Sequence, residues 1–183
     1  DHNLVDVDVG ALCDGMVRYE LRPARRLDGT VVDDIFNAWI ILNNPKQYNS
    51  YTTDMCKALI LAFRAASVAR DVNAVVFTAV GDKAFCTGGD QSVGDEGSHY
   101  DGRGTIGLPI EELHSIMRDA PKPVIAKVRG WCIGGGNVLA TICDLTIAGE
   151  SAVFGQAGPR MGSVDPGFGT NLLARHVGQK KAK

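Results

Sequence analysis

Apolar and polar positions alternate from Met16 to Leu21, and a second, more apolar run follows at Ile35–Leu42, IFNAWIIL, beyond an Asp28-Gly29 turn pair. The spacing predicts a β-hairpin with the second run as its inner strand. From Thr53 to Arg70 the period changes to that of a helix, with Met55, Leu59, Ala62, Phe63 and Ala66 on one face and Thr52 or Thr53 as the N-cap. Asn73–Val80 is continuously apolar and β-branched, as suits a strand buried on both faces. Pro109 and the acidic pair Glu111 and Glu112 open a helix running from Ile110 to about Ala120. A strand at Pro123–Val128, a helix at Gly135–Cys143, short strands at Asp144–Ala148 and Ala152–Phe154, and a last helix from near Gly169 complete the pattern. The order of strand, glycine turn and helix occurs twice at a spacing of about fifty residues, which predicts stacked supersecondary repeats.

Three segments stand outside this periodicity. Residues 1–13 read as an irregular arm, and Asn43–Ser50, NNPKQYNS, reads as a turn. The glycine- and charge-rich stretch 92–108 is long for a compact domain and is expected to be a mobile loop at the site.

With 183 residues and 45% hydrophobic composition the chain can bury one sizeable core, so one domain is expected over 1–183, with 1–34 as arm and hairpin. A formal charge of -2 gives no electrostatic case for nucleic acid or an acidic membrane surface. The arginines at 22, 25 and 26 are expected to be solvated hairpin residues, and the final QKKAK a solvated helix start. Five cysteines without C-x-x-C spacing indicate neither a disulfide framework nor a zinc site, and fit a reducing cytoplasm. No apolar run is long enough to span a bilayer. His2, His99, His114 and His176 lack metal-ligand spacing and are expected to be exposed or capping. The first residue is not Met and the chain stops in VGQKKAK just as a helix extends, so a piece of a longer polypeptide is expected, with exposed apolar surface on its last helix.

Two glycine clusters carry the chemistry: AFCTGGDQ at Ala84–Gln91 and WCIGGGNVL at Trp131–Leu139. Each leaves a strand, and the second opens a helix, where backbone N–H groups and the positive helix end suit an oxygen that develops negative charge. Facing one ligand, they would make a two-donor oxyanion hole. Neither has the G-x-G-x-x-G spacing of a dinucleotide site or the Lys-Ser/Thr ending of a P-loop. Cys86 and Cys132 flank the clusters without a His/Asp pattern and are expected to be small wall residues.

AFCTGGD, PKPVIAKVRGWCIGGGNVL, CDLTIA and FGQAGPRMGSVDPG, in this order from about Phe36 onward, resemble the crotonase (enoyl-CoA hydratase/isomerase) superfamily. The resemblance implies an α/β spiral of ββα repeats, an acyl-CoA thioester substrate with no cofactor beyond its CoA, and a homotrimer or hexamer in the full-length protein. It makes the backbone N–H groups of Gly89 and Gly135 the oxyanion donors. It implies CoA contacts at Lys46, Gln47, Thr87, Gly88, Asp90 and Gln91. The two glutamates of a hydratase would fall at positions that here are Val138 and Gly158, so paired acid–base hydration is excluded.

The remaining polar set, Asp165, Ser163 and Tyr100, is similar to that of dihydroxynaphthoyl-CoA synthases and of ring-opening hydrolases. The loop HYDGRGTIGLPIEELH resembles the 2-ketocyclohexanecarboxyl-CoA hydrolases, and RPARRLDG with NAWIILNNPKQYNSYTTDM resembles the 6-oxocyclohex-1-ene-1-carbonyl-CoA hydrolases, apart from Val138 and Asp90. The resemblance thus implies hydrolytic ring cleavage in anaerobic aromatic (benzoyl-CoA) or alicyclic acid degradation. Asp165 would position or deprotonate water, Tyr100 would polarise the ketone or return a proton, and Ser163 would orient. Naphthoate synthesis and a non-catalytic binding module are the alternatives.

Overall fold

The computed structural model of the chain describes residues 8–9, 11, 13–90, 108–162 and 167–182. Its elements follow the repeat pattern. Strand β1 (Val17–Arg25) pairs antiparallel with β2 (Val31–Leu42), and helix α1 (Thr53–Val68) leads to β3 (Val72–Ala79) and the short β4 (Ala84–Cys86). Helix α2 (Ile110–Arg118) precedes β5 (Val124–Val128) and β6 (Trp131–Ile133), and α3 (Gly135–Ile142) follows. The third passage comprises β7 (Leu145–Ala148), β8 (Val153–Gly155), the single turn α4 (Gly158–Met161), α5 (Gly169–Val177) and α6 (Gln179–Ala182).

Successive passages feed two sheets. The long strands form one sheet in the order β1-β2-β3-β5-β7, parallel from β2 onward, and the short strands form a second in the order β4-β6-β8. Each passage therefore enters the first sheet, crosses to the second and then departs toward a helix. This is the stacking that the sequence pattern predicts, in the form of the α/β spiral of ββα units that the resemblance implies.

The hairpin turn forms at Asp28-Gly29. Asp28 accepts from the Thr30 N–H (2.9 Å) and hydroxyl (2.7 Å), and Gly29 takes φ 86°. Arg22 pairs with Glu20 at 2.7 Å and lies 3.9 Å over the Trp39 ring, while Arg25 donates to the Gly29 carbonyl. Both side chains are exposed, as expected of solvated hairpin residues, and these partners lie within the hairpin.

Helix α1 is capped by Thr52, whose hydroxyl accepts from the Met55 N–H at 3.2 Å. Its C-terminal carbonyls at Ala66 and Ala69 receive the Lys122 ammonium. The expected stripe of Met55, Leu59, Ala62, Phe63 and Ala66 is fully buried. Phe63, Phe77 and Phe85 form an edge-to-face chain with centroids 5.7 and 5.3 Å apart, tying α1 to β3 and then to β4. Each such ring pair contributes on the order of 1 kcal/mol beyond area burial.

One expectation needs correction, and a second holds at Val177 but extends to other elements. His114 is a core residue of α2, only 2% exposed, because its position falls on the face with Ile110, Leu113 and Met117. Exposed apolar side chains are concentrated on the last strands more than on α5. Leu145 and Ile147 of β7 are 59% and 62% exposed, Val153 and Phe154 of β8 are also exposed, and on α5 only Val177 joins them. Leu172 and Leu173 are half-buried. Both sheets thus end on uncovered strands of the third passage. Among the described residues no helix is long and apolar enough to cross a membrane.

Candidate active site

β4 and β6 are parallel neighbours, with Ala84 opposite Trp131 and Cys86 opposite Cys132. Their carboxyl ends therefore lie side by side, and the glycine clusters that follow them converge. Gly88, at φ +95°, is so close to α3 that a Cβ on it would stand 3.1 Å from the Gly135 nitrogen. A Cβ on Gly136 would stand 2.1 Å from the Cys86 carbonyl oxygen, inside any permitted contact. Gly134, at φ 56° and ψ -124°, turns the chain into α3, which leaves Gly135 as the first helical residue. The close approach of the two backbones is the physical reason for glycine at 88 and 136.

A third segment completes the junction. Tyr51 pairs in parallel with Gly89: its N–H donates to the Gly88 carbonyl (2.9 Å), and its own carbonyl accepts from the Asp90 N–H (2.9 Å). Those bonds use the residues on either side of Gly89, so the Gly89 N–H faces the opposite way, toward the β6 side of the strand. Gly89 and Gly135 are each half-buried. The Gly135 N–H belongs to the first turn of α3, where the helix dipole favours negative charge. Two such groups beside one another can hold a developing oxyanion.

The turn before Tyr51 is locked by Asn49, which is 1% exposed and donates to the carbonyls of Val80 (3.0 Å) and Ala84 (2.8 Å). Lys46 and Gln47 occupy a 3-10 turn, Pro45–Gln47, and are exposed on this rim. Thr87 is half-buried, whereas Gly88 and Asp90 are buried. The described members of the expected CoA-contact set thus fall on two adjoining segments around Tyr51. Gln91, Tyr100, Ser163 and Asp165 lie outside the described residues, as does the 92–108 loop except for Leu108.

Val138 is buried on α3, and Gly158 is the first residue of α4. A Cβ on Gly167, two residues beyond Asp165, would meet the His114 ring at 2.4 Å and Val138 Cγ1 at 3.4 Å. Phe168 continues this contact, 6.3 Å from the His114 ring and under the Arg118 guanidinium at 4.9 Å. Gly167 and Phe168 are therefore packed against α2, with Gly167 also beside Val138 of α3.

The cysteines act through their hydrogen bonds. The Cys86 sulfur accepts from the Gly88 N–H at 3.4 Å, and the Cys132 thiol donates to the Gly136 carbonyl at 3.4 Å. Burial pushes the Cys86 thiol up to about 12 and raises Cys132 as well, so neither is a thiolate nucleophile near neutral pH. A separate cavity of about 380 Å³ lies between α3, β7, β8 and α5, lined among others by Asn137, Thr141, Phe154 and His176; it does not include Gly89 or Gly135.

Sequence reasoning missed Tyr51 and His114. Tyr51 sits among polar turn residues and His114 within an amphipathic helix, neither with a motif of its own; the turn packing brings Tyr51 to the glycine clusters, and the inward face of α2 brings His114 against Gly167 and Val138.

The sequence model described as enoyl-CoA hydratase/isomerase matches residues 37–183. The chain belongs to this family. It is 55% identical over its whole length to a 6-oxocyclohex-1-ene-1-carbonyl-CoA hydrolase of Geobacter metallireducens, and 51% identical to one of Thauera aromatica; it covers 48% of each. The chain therefore spans about half the length of these curated relatives. Among solved structures, an enoyl-CoA hydratase from Bacillus anthracis superposes with a TM-score of 0.78 at 26% identity, over 92% of this chain and 60% of that one. Pseudomonas aeruginosa DspI superposes with a TM-score of 0.79 at 23% identity, over 100% of this chain and 62% of that one, a likeness of fold alone. The fold of this family member is the crotonase spiral, cut short of the neighbours' length.

Proposed function

We propose that the protein containing this chain cleaves the ring of an alicyclic acyl-CoA whose ring ketone adjoins the carbon bearing the thioester. The single observation that carries this is the high identity to the two ring-opening hydrolases, joined to a site whose hydratase carboxylate positions are Val138 and Gly158. Water adds to the ring ketone. In the saturated 2-oxo ring the C–C bond to the thioester α-carbon then breaks, and its electron pair is delocalised onto the thioester oxygen as an enolate; a 6-oxo-1-ene ring must first take up water across its C=C bond, because an sp2 α-carbon cannot pass the pair to that oxygen. The former ketone carbon becomes a carboxylic acid, and the α-carbon takes a proton, giving a pimeloyl-CoA-type product.

The enolate oxygen is held by the N–H groups of Gly89 and Gly135, each such donor typically worth roughly 3 kcal/mol of barrier. Asp165 positions or deprotonates the water, Tyr100 polarises the ketone or returns the proton, and Ser163 orients them. Lys46, Gln47, Thr87, Gly88, Asp90 and Gln91 meet the CoA moiety, and the substrate's own CoA is the sole cofactor. The assembly is a homotrimer or hexamer working in a reducing cytoplasm, a setting supported by five free thiols, and it serves anaerobic aromatic or alicyclic acid degradation.

The test offers 2-oxocyclohexanecarboxyl-CoA and its 6-oxo-1-ene analogue to the full-length protein and to Asp165→Asn, with products read by mass spectrometry. Ring-opened dicarboxylic thioester from the wild type, reduced at least 100-fold in Asp165→Asn, is expected. Full activity in Asp165→Asn would remove the role given to that carboxylate, and no opened product from the wild type would remove the reading itself.

A further inference from the structure

We propose that Gly134 is a positioning residue for the reaction: its backbone, held in a conformation that glycine alone adopts without strain, aims the Gly135 N–H at the enolate oxygen and keeps a carbonyl out of that place. This inference rests on the oxyanion reading given above. Gly134 has φ 56° and ψ -124°, the values of the first central residue of a type II′ turn. Both of its polar groups are engaged. Its N–H donates to the Gly155 carbonyl of β8 (2.9 Å), and its own carbonyl accepts from the Val138 N–H of α3 (3.0 Å). The residue therefore joins the end of the second sheet to the first turn of the helix.

The second of these bonds sets the donor's direction. The Gly134 carbonyl and the Gly135 N–H belong to one planar trans peptide, so they point in opposite directions. With the carbonyl drawn toward Val138 along α3, the N–H leaves the helix through its N-terminal end, beside Gly88, whose added Cβ would stand 3.1 Å from that nitrogen. Among the described residues this N–H meets no acceptor. A half-turn of the peptide, shared between ψ of Gly134 and φ of Gly135, would put the carbonyl oxygen where the donor now points. It would carry ψ of Gly134 from -124° to about +56°, inside the left-handed well of about +30° to +60° that an L residue can occupy at positive φ. A side chain at 134 therefore favours the flipped peptide. Nothing lies within 4 Å of a Cβ built on Gly134, so the dihedral pair, not space, demands glycine here.

Gly134→Ala in the full-length protein is the test, because it changes the dihedral preference without crowding a neighbour. Turnover is expected to fall about 100-fold with KM for the thioester changed less than threefold. A second readout is independent of ring opening. Acetoacetyl-CoA bound to the protein ionises to an enolate with its own near-ultraviolet band, and its apparent pKa in the complex is expected to rise by about 2 units in Gly134→Ala, the same factor. D-alanine introduced at position 134 by semisynthesis is expected to restore both values, since a D residue favours this φ and ψ as an L residue favours their mirror image. Gly81→Ala is the control: Gly81 also has positive φ (76°) and open space at its Cβ, and the change is expected to lower stability without moving the enolate pKa.

An unshifted enolate pKa in Gly134→Ala would overturn the proposal, and so would a wild type that does not stabilise the bound enolate at all. Should Gly134→Ala not fold, the D-alanine protein decides: a wild-type enolate pKa supports the aiming role, while a raised pKa, or a second failure to fold, overturns it. Enolate stabilisation lost in Gly134→Ala and restored by D-alanine, without ring opening in the wild type, would sink the ring-opening reading and leave the positioning role standing.

Discussion

Gly135→Ala tests the junction most directly, because the added methyl has a single principal obstacle. The new Cβ would lie 2.2 Å from Tyr51 Oη and 3.1 Å from the ring carbon that carries it, with the Gly88 α-carbon at 3.2 Å. Ordinary contact is about 3.5 Å or more, so the hydroxyl must retreat by more than an ångström while the other two contacts need only a few tenths. Tyr51 is clamped at its backbone N–H and carbonyl, so the strain cannot be relieved by moving the residue as a whole. Overpacking of this kind costs about 1–3 kcal/mol. Removing the hydroxyl should return most of that cost, so the double variant Tyr51→Phe with Gly135→Ala is expected to be at least 1 kcal/mol more stable than the sum of the single changes implies. Urea unfolding of the four proteins, with equal m-values, provides the cycle. Gly136→Ala is the control, since its obstacle is the Cys86 backbone oxygen at 2.1 Å and no side-chain truncation relieves that. Additive stabilities for Tyr51 and Gly135, or relief of Gly136→Ala by Tyr51→Phe, would refute the placement of the hydroxyl.

Three further outcomes are expected. Val138→Glu places a carboxyl at a site 3% exposed and is expected to cost about 2–4 kcal/mol without producing crotonyl-CoA hydration, because Gly158 supplies no second carboxylate; measurable hydration would refute the pairing argument. The buried thiols make stability fall on the alkaline side. Burial raises Cys56, Cys86 and Cys143 from an ordinary 9.0 to about 12, so their contribution is intact below pH 9 and is lost as pH rises from 9 toward 12, by up to roughly 1.4 kcal/mol per unit for each thiol. Urea midpoints between pH 8 and pH 10.5 read this, and a flat profile would count against the burial. The 183-residue chain by itself is expected to self-associate through Leu145, Ile147, Val153 and Phe154, and a monodisperse, cooperatively melting monomer in sedimentation and calorimetry would contradict it.

The sequence carried the elements that depend on local period. The α1 stripe, the buried run of β3, the Asp28-Gly29 turn and both strand–glycine–helix passages appear where the pattern places them, with ends shifted by a residue or two where fraying and caps decide. Helix α2, for instance, stops at Arg118 and not at Ala120. What period cannot express is which strands become neighbours. The repeat spacing implies stacking, but the division into two sheets follows from the short connections β3 to β4, β5 to β6 and β7 to β8. That division is what sets Gly88 against Gly135.

Legibility of the site follows the same division. A glycine forced by a backbone 3 Å away leaves a trace in sequence, because no other residue fits, and so the clusters could be read without coordinates. A tyrosine recruited by that same approach leaves none: in NSYTTD it reads as a turn residue ahead of an N-cap. Its hydroxyl reaches Gly135 because the position lacks a Cβ. The glycine that lets two backbones approach therefore also makes room for the tyrosine ring beside it, and a search confined to the glycine motifs misses that neighbour.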